Sequence, residues 1–384
     1  MRLTRLQIEL QPGQPDEWSV GPVDCEQAML LVGKNASGKS RTLAGLWLLV
    51  GILTGRRTLY KSAATWQLQF EEGSNQISYQ LSCASHAVTS ERLIIGGVTK
   101  LERTSDGTGK ISTHDAESVT TSRFQVPPSA VAVAAKRDLL QHPYLEPLHR
   151  WASLLRYYPF GSHMGRQSLA LLRKDAPAAD PSDWKATIGI FQRGKAELGE
   201  KFRQLVLQHM NRLGYLLEEI QLQPAPAQLV SEDPSIVGPL YGLAVKERDL
   251  SCWTDQIQMS QGMFRALALM VHLAYAELSG QQSCILLDDV GEGLDFERAT
   301  GLIQLLLEIS QRNQLQVLMA TNDRFVMNAV PLEHWAIIRR AGGHCDVLTY
   351  QNSRAMFEDF KMTGLSNFDL LRSGYFEKAA PTPL

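Results

Sequence analysis

Eight consecutive residues, Gly33-Lys34-Asn35-Ala36-Ser37-Gly38-Lys39-Ser40, hold the densest chemistry in the sequence. Gly33 and Gly38 let the backbone curl so that successive N–H groups converge on an anion. Lys39 supplies a cation able to reach the β- and γ-phosphates of a nucleotide, and the Ser40 hydroxyl can ligate Mg²⁺. The spacing is that of G-x-x-x-x-G-K-[ST], the phosphate-binding P-loop. The apolar run Met29 to Val32 precedes it as a short buried strand. Helix-forming sequence follows, and its positive end adds to the attraction for phosphate. Asn35 inside the loop and Arg41 just after it join Gly33, Gly38, Lys39 and Ser40 as expected nucleotide contacts.

A second group of chemical residues lies far along the chain. Cys284 to Leu287 is a very apolar strand that ends in two carboxylates, Asp288 and Asp289. A buried parallel strand is apolar throughout, and ligands bind beyond the carboxyl ends of such strands. Asp288 is therefore placed to hold Mg²⁺, directly or through water, and Asp289 to orient or deprotonate an attacking water. Glu292 is a reserve candidate for the base.

The elements that must position these residues are legible in the periodicity. Leu3 to Leu10 alternates as a strand, with Trp18 to Val20 as its partner. The longest apolar run, Leu43 to Leu53, is too short to span a bilayer and reads as a buried helix beneath the nucleotide. From Thr65 to Val119, short β segments separated by turns predict an antiparallel meander. From Ala130 to about Gln221, apolar residues recur at helical spacing, interrupted by a loop at Asp175 to Pro181. Strands return from Ser235. A helix over Ser260 to Leu278, the Cys284 strand, a helix over Arg298 to Gln311 and a strand at Gln316 to Ala320 then alternate, which implies parallel strands with helical crossovers and an α/β core. The tail from Gln351 is polar with scattered aromatics, and its end, AAPTPL, reads as frayed.

Composition narrows the function classes. With 44% apolar residues among 384, the chain can build a sizeable core. A net charge of −2 gives no general warrant for nucleic-acid binding, so any such contact needs a local basic face. Cys25, Cys83, Cys252, Cys284 and Cys345 are scattered without a CxxC pair, which argues against a disulfide framework or zinc site and fits a reducing, cytoplasmic setting. Charged Arg2, Arg5 and Glu9 interrupt any leader-like start, and no membrane partner is expected.

The residues after Asp289 carry a family resemblance. Asp288-Asp289-Val290-Gly291-Glu292-Gly293-Leu294-Asp295 resembles the Walker B and D-loop of ABC-type ATPases. Upstream, Met259-Ser260-Gln261-Gly262-Met263 resembles a degenerate form of their L-S-G-G-Q signature, with Ser260 expected to cap the next helix. Ala320-Thr321-Asn322-Asp323 sits where that family has its switch histidine. The sequence is thus similar to soluble ABC ATPases of the SMC, RecF and OLD type, including ATPases of prokaryotic anti-phage systems such as Septu.

The resemblance implies an ABC-ATPase head, a P-loop NTPase with an antiparallel β subdomain and an inserted helical subdomain. The expected division is 1–129 for an N-terminal ATPase lobe, 130–222 for the helical insertion and 223–384 for a C-terminal lobe. It implies ATP and Mg²⁺ as cofactors and a head-to-tail homodimer, or a higher oligomer. In that dimer Ser260, Gly262 and Asp295 would contact the nucleotide of the partner protomer. Two departures stand out. Asp289 replaces the usual glutamate and is one methylene shorter, and Asn322 can hydrogen-bond a γ-phosphate but cannot take a proton. Both suit a slow ATPase that acts as a switch on a separate effector such as a nuclease. The chain itself shows no H-N-H pattern, and the roughly 90 residues after Asp295 are short for a nuclease domain. A second reading is a DNA-repair or chromosome-maintenance ATPase that binds DNA directly through 130–221. A third is a scaffold that stays closed on ATP without hydrolysing it. Sequence places neither the glutamine of the family's Q-loop, for which Gln67, Gln69 and Gln80 are equal choices, nor the residue that stacks on adenine, for which Trp18 is an option.

Overall fold

A computed structural model describes residues 1–115, 118–161, 165–172, 178–225, 239–281, 284–313 and 315–378. The chain divides into two compact units: Met1–Leu155 with Gln316–Asn322 and Val330–Leu384, and Arg156–Leu315 with Asp323–Ala329.

The first unit is organised around β3 (Ala28–Val32), whose five residues are all buried. Its parallel neighbours are β16 (Gln316–Ala320), in register Leu318 to Met29, and β17 (Trp335–Ala341), in register Ala336 to Leu31. A strand flanked on both sides and covered on both faces has no place for a polar residue, which is why Met29 to Val32 reads as an unbroken apolar run. Because β3 and β16 are parallel and in register, their carboxyl ends lie side by side, and Gly33 and Asn322 leave from the same end of the sheet. Helix α1 (Lys39–Leu53) follows, with ten buried residues. It is apolar nearly all round, as a helix enclosed by its own unit must be.

From β17 the sheet continues through β18 (His344–Thr349), β2 (Trp18–Asp24), β1 (Arg2–Leu10) and β4 (Ala64–Glu72). It goes on through β5 (Asn75–Ala84), β6 (Ala87–Ile95), β7 (Val98–Arg103), β8 (Thr108–Asp115) and β9 (Ser118–Gln125). The strands from β4 to β9 pair antiparallel, each with the next. Alternation sets their buried face: Trp66, Leu68 and Phe70 in β4 and Ile77, Tyr79 and Leu81 in β5 are buried. The buried Glu91 carboxylate accepts from the Ala132 and Val133 N–H groups at 2.7 and 2.9 Å and from the Tyr79 hydroxyl at 3.2 Å, and lies 3.8 Å from Arg103. This cluster ties the meander to the single turn α2 (Ala132–Ala135), after which α3 (Glu146–Leu154) closes the segment.

The second unit begins with β10 (Arg156–Pro159), which pairs parallel with β15 (Cys284–Asp288). A separate small sheet holds β11 (Ala170–Leu171), β13 (Leu240–Glu247) and β12 (Leu217–Pro224), with β14 (Trp253–Asp255) on β13. Helices α4 (Thr187–Leu198) and α5 (Glu200–Arg212) pack on α6 (Gln261–Ser279), which is buried continuously from Gly262 to Ala276. Helix α7 (Phe296–Asn313) packs against α8 (Arg324–Ala329).

Several expectations need correction. The stretch 130–221, helical by its spacing, also forms β10, β11 and much of β12. The Leu-rich spacing at Leu154-Leu155 is shared by the end of α3 and the approach to β10, so period alone could not separate them. The polar tail forms α9 (Arg354–Lys361) and α10 (Asn367–Arg372), the latter begun by a Ser366–Asp369 capping box. Strands β17 and β18 also form an antiparallel hairpin that the sequence pattern does not mark. Residues Ser235 to Gly238 of the returning strands, part of the loop at Asp175 to Pro181, and the AAPTPL end lie outside the described residues. Among the described residues no helix is long and apolar enough to cross a membrane.

Candidate nucleotide site

In the first unit the P-loop turns where β3 ends. A Cβ at Gly33 would stand 2.6 Å from the Ile338 carbonyl oxygen and 2.7 Å from Ser37 Oγ, so no larger residue fits. Gly38 has φ +107°, a conformation open to glycine, and immediately precedes α1. Lys39 is only 5% exposed, and its Nζ donates to the carbonyl oxygens of Gly33 at 2.9 Å and Lys34 at 3.2 Å. The lysine is folded into the loop it serves. Ser37 Oγ is buried and has no hydrogen-bond partner among the described residues. A curled loop with a buried orphan hydroxyl, an enclosed ammonium and a helix start is a cradle with the polarity an anion needs.

A cleft of about 540 Å³ opens on this loop. Asn35, Gly38, Lys39, Ser40 and Arg41 line it together with Asn322. The structure therefore brings Asn322 to the P-loop, as the parallel pairing of β3 with β16 requires. Two further lining residues are Trp18 and Arg340. Trp18 is 1% exposed and carries the Arg41 guanidinium 4.9 Å from its ring centre. Its indole is a wall of the core, and Arg41 is the stacked group nearer the cleft. Arg340 donates to the Ala36 carbonyl at 3.2 Å and bridges loop and β17. Nothing in its local sequence, the end of an apolar strand, marks it for that place.

The tail also returns to the P-loop. Glu377 pairs with Lys34, and Arg339 donates to the Phe376 carbonyl at 3.2 Å. Gln67 and Gln69 sit mid-strand in β4, exposed on the meander, and Gln80 opposes Gln67 in β5. All three are central in their strands rather than at strand ends.

In the second unit β15 delivers Asp288, 7% exposed, at its carboxyl end. The Phe160 N–H donates to the Asp288 carbonyl at 2.8 Å, and the Tyr157 hydroxyl donates to its carboxylate at 3.2 Å. Burial, and then the Asp288 charge, push the Tyr157 phenol well above its ordinary pKa, so it stays a donor. Asp289 adopts φ +52°, one of few non-glycine residues in the left-handed region among the described residues. Aspartate tolerates this better than most, and such strain gathers at functional sites. The turn closes through Glu292 N–H to the Asp289 carbonyl at 3.2 Å. A Cβ on Gly161 would meet the Glu292 carboxylate and Asp289 Oδ2, the latter at 3.2 Å, so both acids face the same stretch of backbone.

Their surroundings differ. Arg265, nearly buried, donates to the Glu292 carbonyl at 3.0 Å and lies 3.9 Å from its carboxylate. No such cation is paired with Asp289 among the described residues. Ser260 is the N-cap of α6, its Oγ accepting from Met263 N–H at 3.1 Å, and it is exposed. A Cβ on Gly262 would collide with the Gly293 carbonyl oxygen, so this glycine is the contact point between the start of α6 and the Asp289–Asp295 turn. Asp295 accepts from the Arg298 N–H at 3.0 Å and pairs with the Arg298 guanidinium; the N–H hydrogen bond first, and then the guanidinium, hold its carboxyl below the usual range. Its carboxylate caps α7. The sequence missed Gln256, a buried clamp whose amide donates to the Arg166 and Ser168 carbonyls at 2.9 and 2.8 Å, while Arg166 donates to the Met259 carbonyl at 2.6 Å.

No protein-family model matches the chain, and no curated protein sequence matches it. Solved structures do match. The chain is similar to the SMC head bound to the C-winged helix domain of ScpA, with a TM-score of 0.55 and 11% identity over 93% of this chain and 99% of that one. It is similar also to the Smc head domain with an extended coiled coil bound to the C-terminal domain of ScpA, derived from Pyrococcus furiosus, with a TM-score of 0.50 and 10% identity over 94% and 99%. At such identity the likeness is one of fold: the chain shares the fold of those SMC heads.

Proposed function

We propose that this protein is a slow ABC-type ATPase that works as a nucleotide-controlled switch. The observation that carries this reading is the cleft in which Asn322 faces Lys39, Ser40 and Arg41. A P-loop lysine beside a side chain that can sense a γ-phosphate, yet cannot accept its proton, favours binding over rapid turnover. Lys39 would exchange its carbonyl partners for phosphate oxygens, and loop N–H groups would hold the phosphates. The Ser40 hydroxyl and the Asp288 carboxylate are hard oxygen donors of the kind Mg²⁺ takes. When bound, Mg²⁺ neutralises the charge that develops on the transferred phosphoryl group. Asp289 orients and deprotonates water. Glu292, compensated by Arg265, is a weaker base candidate.

In this reading two protomers associate head to tail around two nucleotides. Ser260 and the first N–H groups of α6 grip the γ-phosphate of the partner protomer, aided by Gly262 and Asp295. The exposure of Ser260 at a 19-residue helix start supports that use. The associated form controls a separate cytoplasmic effector, a nuclease in anti-phage defence being the choice favoured by the resemblance of the signature and Walker B segments. The test is phosphate release by the purified chain with Mg²⁺ and ATP. Turnover below the common enzyme median of about 10 s⁻¹ supports a switch, and turnover well above it overturns that part of the reading.

A further inference from the structure

The five residues Tyr157 to Gly161 form one wall of the acid turn, and nothing in the P-loop or signature motifs accounts for them. Their backbone is placed by the parallel pairing of β10 with β15, with Tyr157 opposite Leu286 and Pro159 opposite Asp288. Phe160 N–H fixes the Asp288 main chain at 2.8 Å, and Gly161 allows the approach of Asp289 and Glu292. Neighbouring phenols in this strand have opposite fates. Tyr158 points into the core, 1% exposed, its ring edge-on to His272 at 5.2 Å, and its hydroxyl has no hydrogen-bond partner among the described residues. Tyr157 points to the other side and gives its hydroxyl to Asp288 Oδ2.

We propose that Tyr157 is a positioning residue for the metal site, its hydroxyl fixing the rotation of the Asp288 carboxylate in the orientation that ligates Mg²⁺. This rests on the reading of Asp288 as a Mg²⁺ ligand. A carboxylate with a free torsion must be ordered when the ion arrives, whereas one already held by a donor is not. Loss of the hydrogen-bonded partner of a metal ligand costs about 10–100-fold in metal affinity. A tyrosine retained only for packing would serve equally well as phenylalanine, because a buried hydroxyl adds a group that must be satisfied.

The experiment uses the full chain, the Tyr157→Phe variant and, as control, Tyr158→Phe. Mg²⁺ is titrated at saturating non-hydrolysable ATP analogue, with thermal shift as readout, and Mn²⁺ binding is followed by electron paramagnetic resonance. Analogue affinity in excess chelator is measured in parallel. Tyr157→Phe is expected to raise the half-saturating Mg²⁺ and Mn²⁺ concentrations about tenfold or more. Its metal-free analogue affinity stays unchanged, and Tyr158→Phe matches the unmodified chain in metal dependence. An unshifted metal half-saturation in Tyr157→Phe overturns the positioning role, as does an equal shift in Tyr158→Phe. If the unmodified chain shows no metal-dependent response to the analogue, the Asp288 reading itself fails, and that failure is visible without any variant.

Discussion

Arg265 donates to the main-chain oxygen of Glu292 at 3.0 Å and holds its guanidinium 3.9 Å from the Glu292 carboxylate. A residue on the first turns of α6 thus secures the turn that carries Asp289. The pair also separates the two base candidates, since Glu292 already answers a nearly buried cation. Asp289→Ala is expected to lower kcat by about 10²-fold or more, within the usual range for loss of a general base, while Glu292→Gln stays within a few-fold of the unmodified chain. Phosphate release at saturating ATP measures both. Equal losses in the two variants would contradict the assignment.

Gly262 meets Gly293 at a separation that leaves no space for a methyl group. Helix propensity alone predicts that Gly→Ala inside a helix stabilises by about 1 kcal/mol. Here the obstacle is a backbone oxygen, which cannot swing aside like a side chain, so the sign reverses. Gly262→Ala is expected to lose about 1–3 kcal/mol in denaturant unfolding, the usual cost of overpacking. A gain in stability would show that the turn moves away freely.

Two buried histidines set an acid limit on stability. Burial, and secondarily Arg156, pushes His272 down to about 3, and burial with Arg212 pushes His209 down to about 4. Both stay neutral in the folded chain, while an unfolded histidine titrates near about 6.5. Between these values the unfolded chain binds protons that the folded chain refuses, so stability falls as pH drops from 6.5 and the effect vanishes above it. Each such group contributes a slope of about 1.4 kcal/mol per pH unit near pH 5. His272→Gln should flatten the curve by that order between pH 4 and 6 in urea titrations. An unchanged slope would mean that His272 titrates normally in the fold.

The sequence marks those residues whose role lies in their own type and spacing. Gly33, Gly38 and Lys39 carry their roles in residue type and spacing, because no other residue gives that backbone or that reach. The apolar runs Met29 to Val32 and Cys284 to Leu287 declare buried parallel strands by their lack of alternation. Ser260 declared its cap through its chemistry. Tyr157, Arg340 and Gln256 were silent, since each acts through a partner more than 100 residues away or through a turn with no periodic pattern, as the Tyr157 to Asp288 separation of 131 shows. Strand β10 was hidden by leucines that serve a helix and a strand equally well, and the tail helices by their short length and polar faces.

Gly38 offers a test of the loop itself. At φ +107° any side chain is strained, and a Cβ there would lie 3.1 Å from Trp18 Nε1. Left-handed backbone costs a non-glycine residue about 1–2 kcal/mol. Gly38→Ala is therefore expected to weaken ATP-analogue binding at least about tenfold, because the lost alignment of loop N–H groups adds to the strain. Calorimetric titration gives the value, and unaltered affinity would remove the P-loop from the account of binding.

In the proposed switch, nucleotide controls association and Asp289 ends the associated state. Mass in solution with and without Mg²⁺ and ATP, for the unmodified chain and for Asp289→Ala, with phosphate release in parallel, tests it most directly. The unmodified chain is expected to shift to a larger assembly with ATP, and Asp289→Ala to give a persistent assembly with release slowed about 10²-fold or more. A mass that ignores ATP, or release in Asp289→Ala within a few-fold of the unmodified rate, would overturn this reading.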